Sequence, residues 1–160
     1  MTTPPWAADR ELTLAQVRAA VGEQFPELAS ARIVYMASGW DHDAWLIDDR
    51  WVFRFPRRRA VAALLEREMA AAALAREALA AIGVAAPDYT RRAHPGEHFP
   101  YAFAGYERVP GERAPDPPRD EKEARRLGTE IARVLGALHA VPLADARAAG
   151  LQEQRHVARA

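Results

Sequence analysis

The sequence predicts an α+β domain, with a five-stranded antiparallel sheet and flanking helices followed by the start of a helical region. Three observations carry this. Ala44–Ile47 and Trp51–Phe55 are short apolar and aromatic runs joined at Asp48-Asp49-Arg50, the pattern of a β-hairpin. The alanine-rich stretch from Arg59 to Ile82 is long enough for one continuous helix and is followed by Gly83 and Pro87. Leu127, Ile131, Val134, Leu135 and Leu138 recur at the helical period within residues 120–140.

In chain order, Thr13 can cap a first helix reaching about Phe25, with Leu14, Val17, Val21 and Phe25 on one side and Pro26 beyond its end. Residues 32–37 read as a strand, and Ser38-Gly39 opens a turn. The hairpin follows, ended by Pro56. After the long helix, Asp88–Val109 contains Pro95-Gly96 and then Phe99, Tyr101, Phe103 and Tyr106 two or three residues apart, which predicts two more short strands within that stretch, ended by Pro110-Gly111. The segment A-P-D-P-P-R-D is a solvated linker. A helix over 120–140 comes next, and a weaker one begins near Ala144.

Composition narrows the function classes. The 160 residues carry 22 basic and 22 acidic side chains, so the net charge is zero. A nucleic-acid-binding domain held by a broad basic surface is not expected. Hydrophobic residues make up 49% of the chain, enough for a packed core. Cysteine is absent, which rules out disulfides and thiolate zinc sites. The N-terminus lacks the pattern of a signal peptide. Glu66, Arg67, Glu68, Arg76 and Glu77 interrupt the alanine-rich stretch, so no membrane partner is expected and the expected location is cytoplasmic. Lys122 is the only lysine, and there is no asparagine.

Arg54 is the first candidate for chemistry. Alternation along the strand puts Trp51, Phe53 and Phe55 on one face, with Val52 and Arg54 on the other. A cation among large apolar neighbours needs an anion, unless it sits at an edge and reaches water. Glu68 falls within the stripe of Val61, Leu64, Leu65, Ala72, Ala75, Leu79 and Ile82 at 100° per residue, whereas Glu66 falls outside it. Glu68 is therefore the natural helix partner for Arg54. The pair is either structural or, as in kinases, a device that holds a cation on nucleotide phosphates. A guanidinium fork can serve a carboxylate and a phosphate together.

The turn Ser38–Asp43 is the second candidate, because Gly39 would let backbone N–H groups approach a phosphate. Asp41 and Asp43 would repel phosphates unless they take donors or point away, and the turn read by itself is a plain hairpin turn. The third is the segment Phe103–Glu112, a strand leading to a Pro-Gly turn and so a candidate hinge. The histidines, His42, His94, His98, His139 and His156, fall in separate elements and form no ligand pattern.

Together, S-G-W-D-H-D-A-W-L-I-D-D-R-W-V-F-R-F-P-R-R, L-L-E-R-E-M-A-A-A-A-L, F-A-G-Y-E-R-V-P-G-E and L-G-A-L-H-A-V-P resemble, in order and spacing, the aminoglycoside phosphotransferase and choline-kinase-like family. The resemblance runs from about Arg32 to Pro142. It implies a protein-kinase-like small lobe with a long helix of the αC type, then the hinge and first helices of a large lobe. The implied divisions are a nucleotide-binding lobe at 1–104, hinge and linker at 105–118, and an incomplete helical lobe at 119–160. Ser38 and Gly39 would lie in the nucleotide loop. Arg54 would take the place of the phosphate-binding lysine, with Glu68 its partner. Glu107 to Val109 would offer backbone groups to adenine. ATP or GTP and magnesium are the implied cofactors, and a small-molecule hydroxyl is the implied acceptor.

The family's His-Gly-Asp catalytic loop and metal-binding asparagine have no counterpart in this sequence. No residue is therefore assigned to catalysis, and the expectation is a truncated ATP-dependent phosphotransferase. The apolar stripe of 120–140 would then be covered by further chain or by self-association. Two alternatives remain open: a non-catalytic nucleotide-binding or protein-interaction module of kinase-like fold, and an unrelated α+β domain in which Arg54 and Glu68 are only structural.

Overall fold

The computed structural model describes residues 7–111, 114 and 117–151. They form two compact units. Residues up to Glu66 together with Pro87–Arg108 make the first, and Arg67–Ala86 with the residues from Val109 onward make the second.

The first unit is built on one antiparallel sheet in the order β1-β2-β3-β5-β4. Its strands are β1 (Ile33–Ser38), β2 (His42–Ile47), β3 (Trp51–Pro56), β4 (Arg91–Ala93) and β5 (Phe103–Glu107). The five expected strands are all present. The central hairpin pairs Ile47 with Trp51, and its two turn residues, Asp48 and Asp49, have φ of 51° and 52°. That left-handed backbone, closed by the Arg50 N–H on the Ile47 carbonyl at 3.1 Å, suits the right-handed twist of the strands on either side of the three-residue connection Asp48-Asp49-Arg50. The aspartate side chains offset part of the strain. Asp48 Oδ1 accepts from the Arg32 N–H at 2.8 Å, and Asp49 pairs with the Arg32 guanidinium at 2.8 Å.

Helix α1 (Leu14–Gln24) lies against one face of this sheet. Thr13 caps it reciprocally with Gln16: the Gln16 N–H donates to Thr13 Oγ1, and the Thr13 N–H donates to Gln16 Oε1. Val17, Ala20, Val21, Phe25 and Leu28 meet Trp45, Ile47, Phe53, Phe55 and Phe103 in a closed core. The Phe55 and Phe103 rings stack at 4.3 Å, and Phe25 tilts against Phe53 at 5.3 Å. Each such side chain contributes about 1.5–3 kcal/mol by burial. Gly105 faces Phe53 across the ladder, and a Cβ there would lie 2.8 Å from the ring. The strand has room for that ring only because this residue is glycine.

The chain between β4 and β5 is tied to the end of α1. Both Glu23 carboxylate oxygens accept backbone N–H groups, Glu97 at 2.9 Å and His98 at 3.3 Å. These bonds hold the Glu23 carboxyl below the ordinary carboxylate range. Asp9 is held low in the same direction, by the Arg59 N–H first and the Tyr101 hydroxyl second.

The single helix expected from Arg59 to Ile82 is in fact two. Helix α2 (Arg59–Ala62) starts where Asp9 Oδ2 accepts the Arg59 N–H at 2.7 Å, and α3 (Leu65–Ala80) follows after a tight turn. The Leu64 N–H reaches back only three residues, to the Val61 carbonyl at 2.9 Å. The break leaves Leu64 48% exposed, against its expected place in the stripe, while Val61, Leu65, Met69 and Leu79 are buried. Met69 continues the four-residue step from Leu65. Gly83, at φ 72°, ends the run as expected.

In the second unit, Asp120 caps α4 (Glu121–His139) by accepting the Glu123 N–H at 2.7 Å. A short α5 (Leu143–Ala148) follows. No residue of α4 is buried, and Ile131 and Leu135 are 57% and 46% exposed. Among the described residues, no helix is long and apolar enough to cross a membrane.

Candidate functional site

Arg54 sits in the middle of β3, on the sheet face turned away from α1. The residues directly opposite it are Ala44 on β2 and Ala104 on β5. Two alanines flanking one long side chain leave lateral room for a guanidinium. Val52, Leu46 and Ala104 on the same face are buried, so the cation rises from an apolar floor. Its fork has two described acceptors within this unit. Nη1 donates to the Tyr89 hydroxyl at 2.5 Å, and Nη2 meets His42 Nδ1 at 3.0 Å. The Tyr89 ring stands edge-on to Tyr106 at 5.1 Å, and Tyr106 pairs with Val52 on β5. His42 is 8% exposed. Arg54 is thus not an edge side chain extending freely into water.

Sequence reasoning missed both of these partners. His42 was legible in principle. It lies two residues before Ala44, so extending β2 backwards by one alternation puts it on the Arg54 face. Tyr89 comes from a distant connecting segment and left no local signal.

The turn between β1 and β2 is closed by its own backbone. The Gly39 N–H donates to the His42 carbonyl at 2.8 Å, and its carbonyl accepts from Arg57 Nη1 at 2.6 Å. Ser38 Oγ donates to Asp43 Oδ1 at 2.6 Å. Ser38 pairs with Asp43, and Asp43 shares its face with Trp45, so the Ser38 side chain points to the α1 side rather than the Arg54 side. The two aspartates take cationic partners. Asp43 lies 3.8 Å from Arg57 Nε, and Asp41 pairs with Arg58. Their charge is matched within the turn, which answers the repulsion expected from the sequence.

The end of β5 has a definite polarity. The Arg108 N–H donates to the Arg50 carbonyl at 2.7 Å, which makes Trp51 and Glu107 a non-hydrogen-bonded pair. The backbone N–H and carbonyl of Glu107 therefore turn away from β3. They face the side on which β4 has already ended, at the Arg91–Gly105 pair. The Glu107 carboxylate is engaged with Arg50 Nε at 3.0 Å, on the surface. Val109 begins the second segment of the second unit.

Glu68 belongs to the second unit, on α3, and is half-buried. Glu66 is exposed and lies 3.5 Å from Arg92. The helical geometry that selected Glu68 as the inward carboxylate agrees with this difference in exposure. Among the described residues, no group of three or more His, Asp or Glu side chains is placed to hold a metal ion. The magnesium implied by the resemblance thus finds no ligand set among them, and no described residue is assigned to it.

The sheet thus has one face closed by α1 and, on the other, a cation on an apolar floor. The sequence pattern of the phosphotransferase enzyme family, APH, matches residues 32–160, and the chain belongs to that family. This closes the reading as an unrelated α+β domain. No curated protein matches by sequence. Solved structures do match by fold. The GDP complex of wild-type aminoglycoside 2'-phosphotransferase-IIIa superposes with a TM-score of 0.75 at 22% identity, over 90% of this chain and 48% of that one. The GDP and kanamycin complex of APH(2")-IIIa gives 0.74 at 23%, over 86% and 46%. Macrolide 2'-phosphotransferase type I gives 0.57 at 25%, over 88% and 48%. The chain spans about half the length of the structures it matches. Its fold is that of the N-terminal lobe and part of the C-terminal lobe of these kinase-like proteins.

Proposed function

We propose that this chain is the nucleotide-handling part of an ATP- or GTP-dependent phosphotransferase that passes the γ-phosphate to a hydroxyl of a small molecule, of the aminoglycoside type. The observation that carries the reading is Arg54, a cation fixed on the apolar sheet face opposite the α1 core. Arg54 binds the phosphates. Glu68 is proposed as its carboxylate partner. Ser38 and Gly39 shape the loop beside the phosphates, where the Gly39 carbonyl and the Ser38 hydroxyl already hold internal partners. The outward-turned backbone of Glu107, continued by Val109, offers the purine edge an acceptor and a donor. No residue of the chain is assigned to the transfer step itself.

Calorimetry with ATP and with GTP, each with magnesium, tests the reading on the parent chain and on Arg54→Ala. Weak binding by the parent, reduced about tenfold or more in the variant, supports it, since a charge-assisted hydrogen bond contributes about 1.5–3 kcal/mol. Equal, strong binding by both would show that the phosphates sit elsewhere. Nucleotide binding without transfer to any acceptor, by a chain that includes a complete helical lobe, would favour the non-catalytic module.

A further inference from the structure

We propose that His42 and Tyr89 are positioning residues for Arg54, and that they are the reason this chain can use arginine to meet the nucleotide phosphates. The inference rests on the reading of Arg54 given above. It goes beyond that reading by assigning a task to two side chains outside the strand–helix ion pair.

The geometry sets the roles of the three groups. A guanidinium has five N–H donors and no acceptor. At 3.0 Å from Arg54 Nη2, His42 Nδ1 must therefore be the acceptor. That is possible only for a neutral imidazole whose proton is on Nε2. Tyr89 accepts from the other terminal nitrogen at 2.5 Å. One acceptor on each Nη fixes both the position and the plane of the fork. A planar cation on a long, flexible stem loses much rotamer freedom when it is ordered, and two acceptors built into the fold remove that loss before any ligand arrives.

Each acceptor is itself held. His42 is buried at the start of β2, paired with Pro56 and two residues along from Ala44. Tyr89 is held edge-on by Tyr106. The cluster thus joins β2, β3, β5 and the segment before β4. A lysine at position 54 would present a compact ammonium and could not span two acceptors in the same way. Arginine at this position is part of a matched set, so Arg54→Lys is not a conservative change in this chain.

Two measurements on the full chain test the proposal. Long-range ¹H–¹⁵N spectra of the imidazoles, with His42 assigned by its absence in His42→Asn, should show Nδ1 unprotonated and Nε2 protonated. A His42 ring protonated on Nδ1 overturns the clamp. Calorimetry with ATP and magnesium is then run on His42→Ala, Tyr89→Phe, His42→Asn and Arg54→Ala. His42→Ala and Tyr89→Phe should each weaken binding about tenfold, in line with the loss of one hydrogen bond to a charged group, measured at a temperature where circular dichroism shows each variant folded. His42→Asn puts an amide oxygen where Nδ1 was, and should restore most of the affinity. If Arg54→Ala loses binding while His42→Ala and Tyr89→Phe bind like the parent, the positioning role is wrong and the reading of Arg54 stands. If Arg54→Ala binds like the parent, the reading of Arg54 falls, and the tautomer measurement still decides whether the clamp exists.

Discussion

Replacing Gly105 by alanine should destabilise the sheet unit through one contact. The new Cβ would lie 2.8 Å from both Cδ1 and Cε1 of Phe53. Carbon atoms in a packed interior sit about 3.5–4.0 Å apart, so the shortfall is roughly 0.7 Å or more. The Phe53 ring has nowhere to retreat. It is fully buried, with Phe25 at 5.3 Å and Phe103 at 6.0 Å from its centroid. The strain must therefore be taken up by moving β5 or by forcing Phe53 off its rotamer, which costs about 1–3 kcal/mol. For a unit of this size each kcal/mol lowers the melting temperature by about 4–8 °C. Thermal melts followed by circular dichroism would read this directly. The mechanism makes a second demand: Phe53→Leu in the Gly105→Ala background should recover part of the loss, so the two changes should not be additive. An unchanged melting temperature in Gly105→Ala, or strict additivity in the pair, would refute the packing argument.

Other consequences are open to measurement. Glu23 and Asp9 are held below the ordinary carboxylate range, first by backbone N–H groups, so the stability they contribute is complete above about pH 5 and is lost as the pH falls through their lowered values. Acid denaturation of Glu23→Gln and Asp9→Asn should accordingly begin from a lower plateau and show a shallower acid limb; parent-like acid limbs in both would contradict this. The proposed Arg54–Glu68 partnership predicts coupling in a thermal double-mutant cycle of Arg54→Gln and Glu68→Gln, of about 0.5–3 kcal/mol, whereas simple additivity would remove the pair. The proposed self-association through residues 120–140 predicts that Ile131→Glu, at an exposed position on α4, shifts sedimentation towards the monomer. The same sedimentation coefficient for parent and variant would remove that surface from consideration.

Much of the fold was legible because its signals are local. Thr13 with Gln16, Asp120 with Glu123 and Asp48-Asp49 each state a helix start or a turn within four residues. The choice of Glu68 over Glu66 needed only the angle between successive helical residues. The break at Ala63-Leu64 was not legible, because alanine and leucine favour helix there. The structure shows the break as a three-residue turn, the Leu64 N–H on the Val61 carbonyl, after a first turn whose Arg59 N–H is taken by Asp9 from fifty residues away, and neither contact has a local sequence signal. The site divided along the same line. Arg54 announced itself by strand alternation. Tyr89 reaches it across 35 residues of chain and could be found only in three dimensions.

The two left-handed aspartates of the central hairpin do more than close a turn. They fix how many residues separate β2 from β3, and that count decides which way every side chain of β3 points. Insert or delete one residue between Ile47 and Trp51, and re-pairing by a single step would send Arg54 among the phenylalanines and bring Phe53 and Phe55 out onto the opposite face. A length change in this connection should therefore be tolerated only where the loop absorbs it and Ile47 still faces Trp51, or where the pairing slides by two. The orientation of the charge that defines the candidate site is, in this sense, stored in a register held by a turn that never touches it.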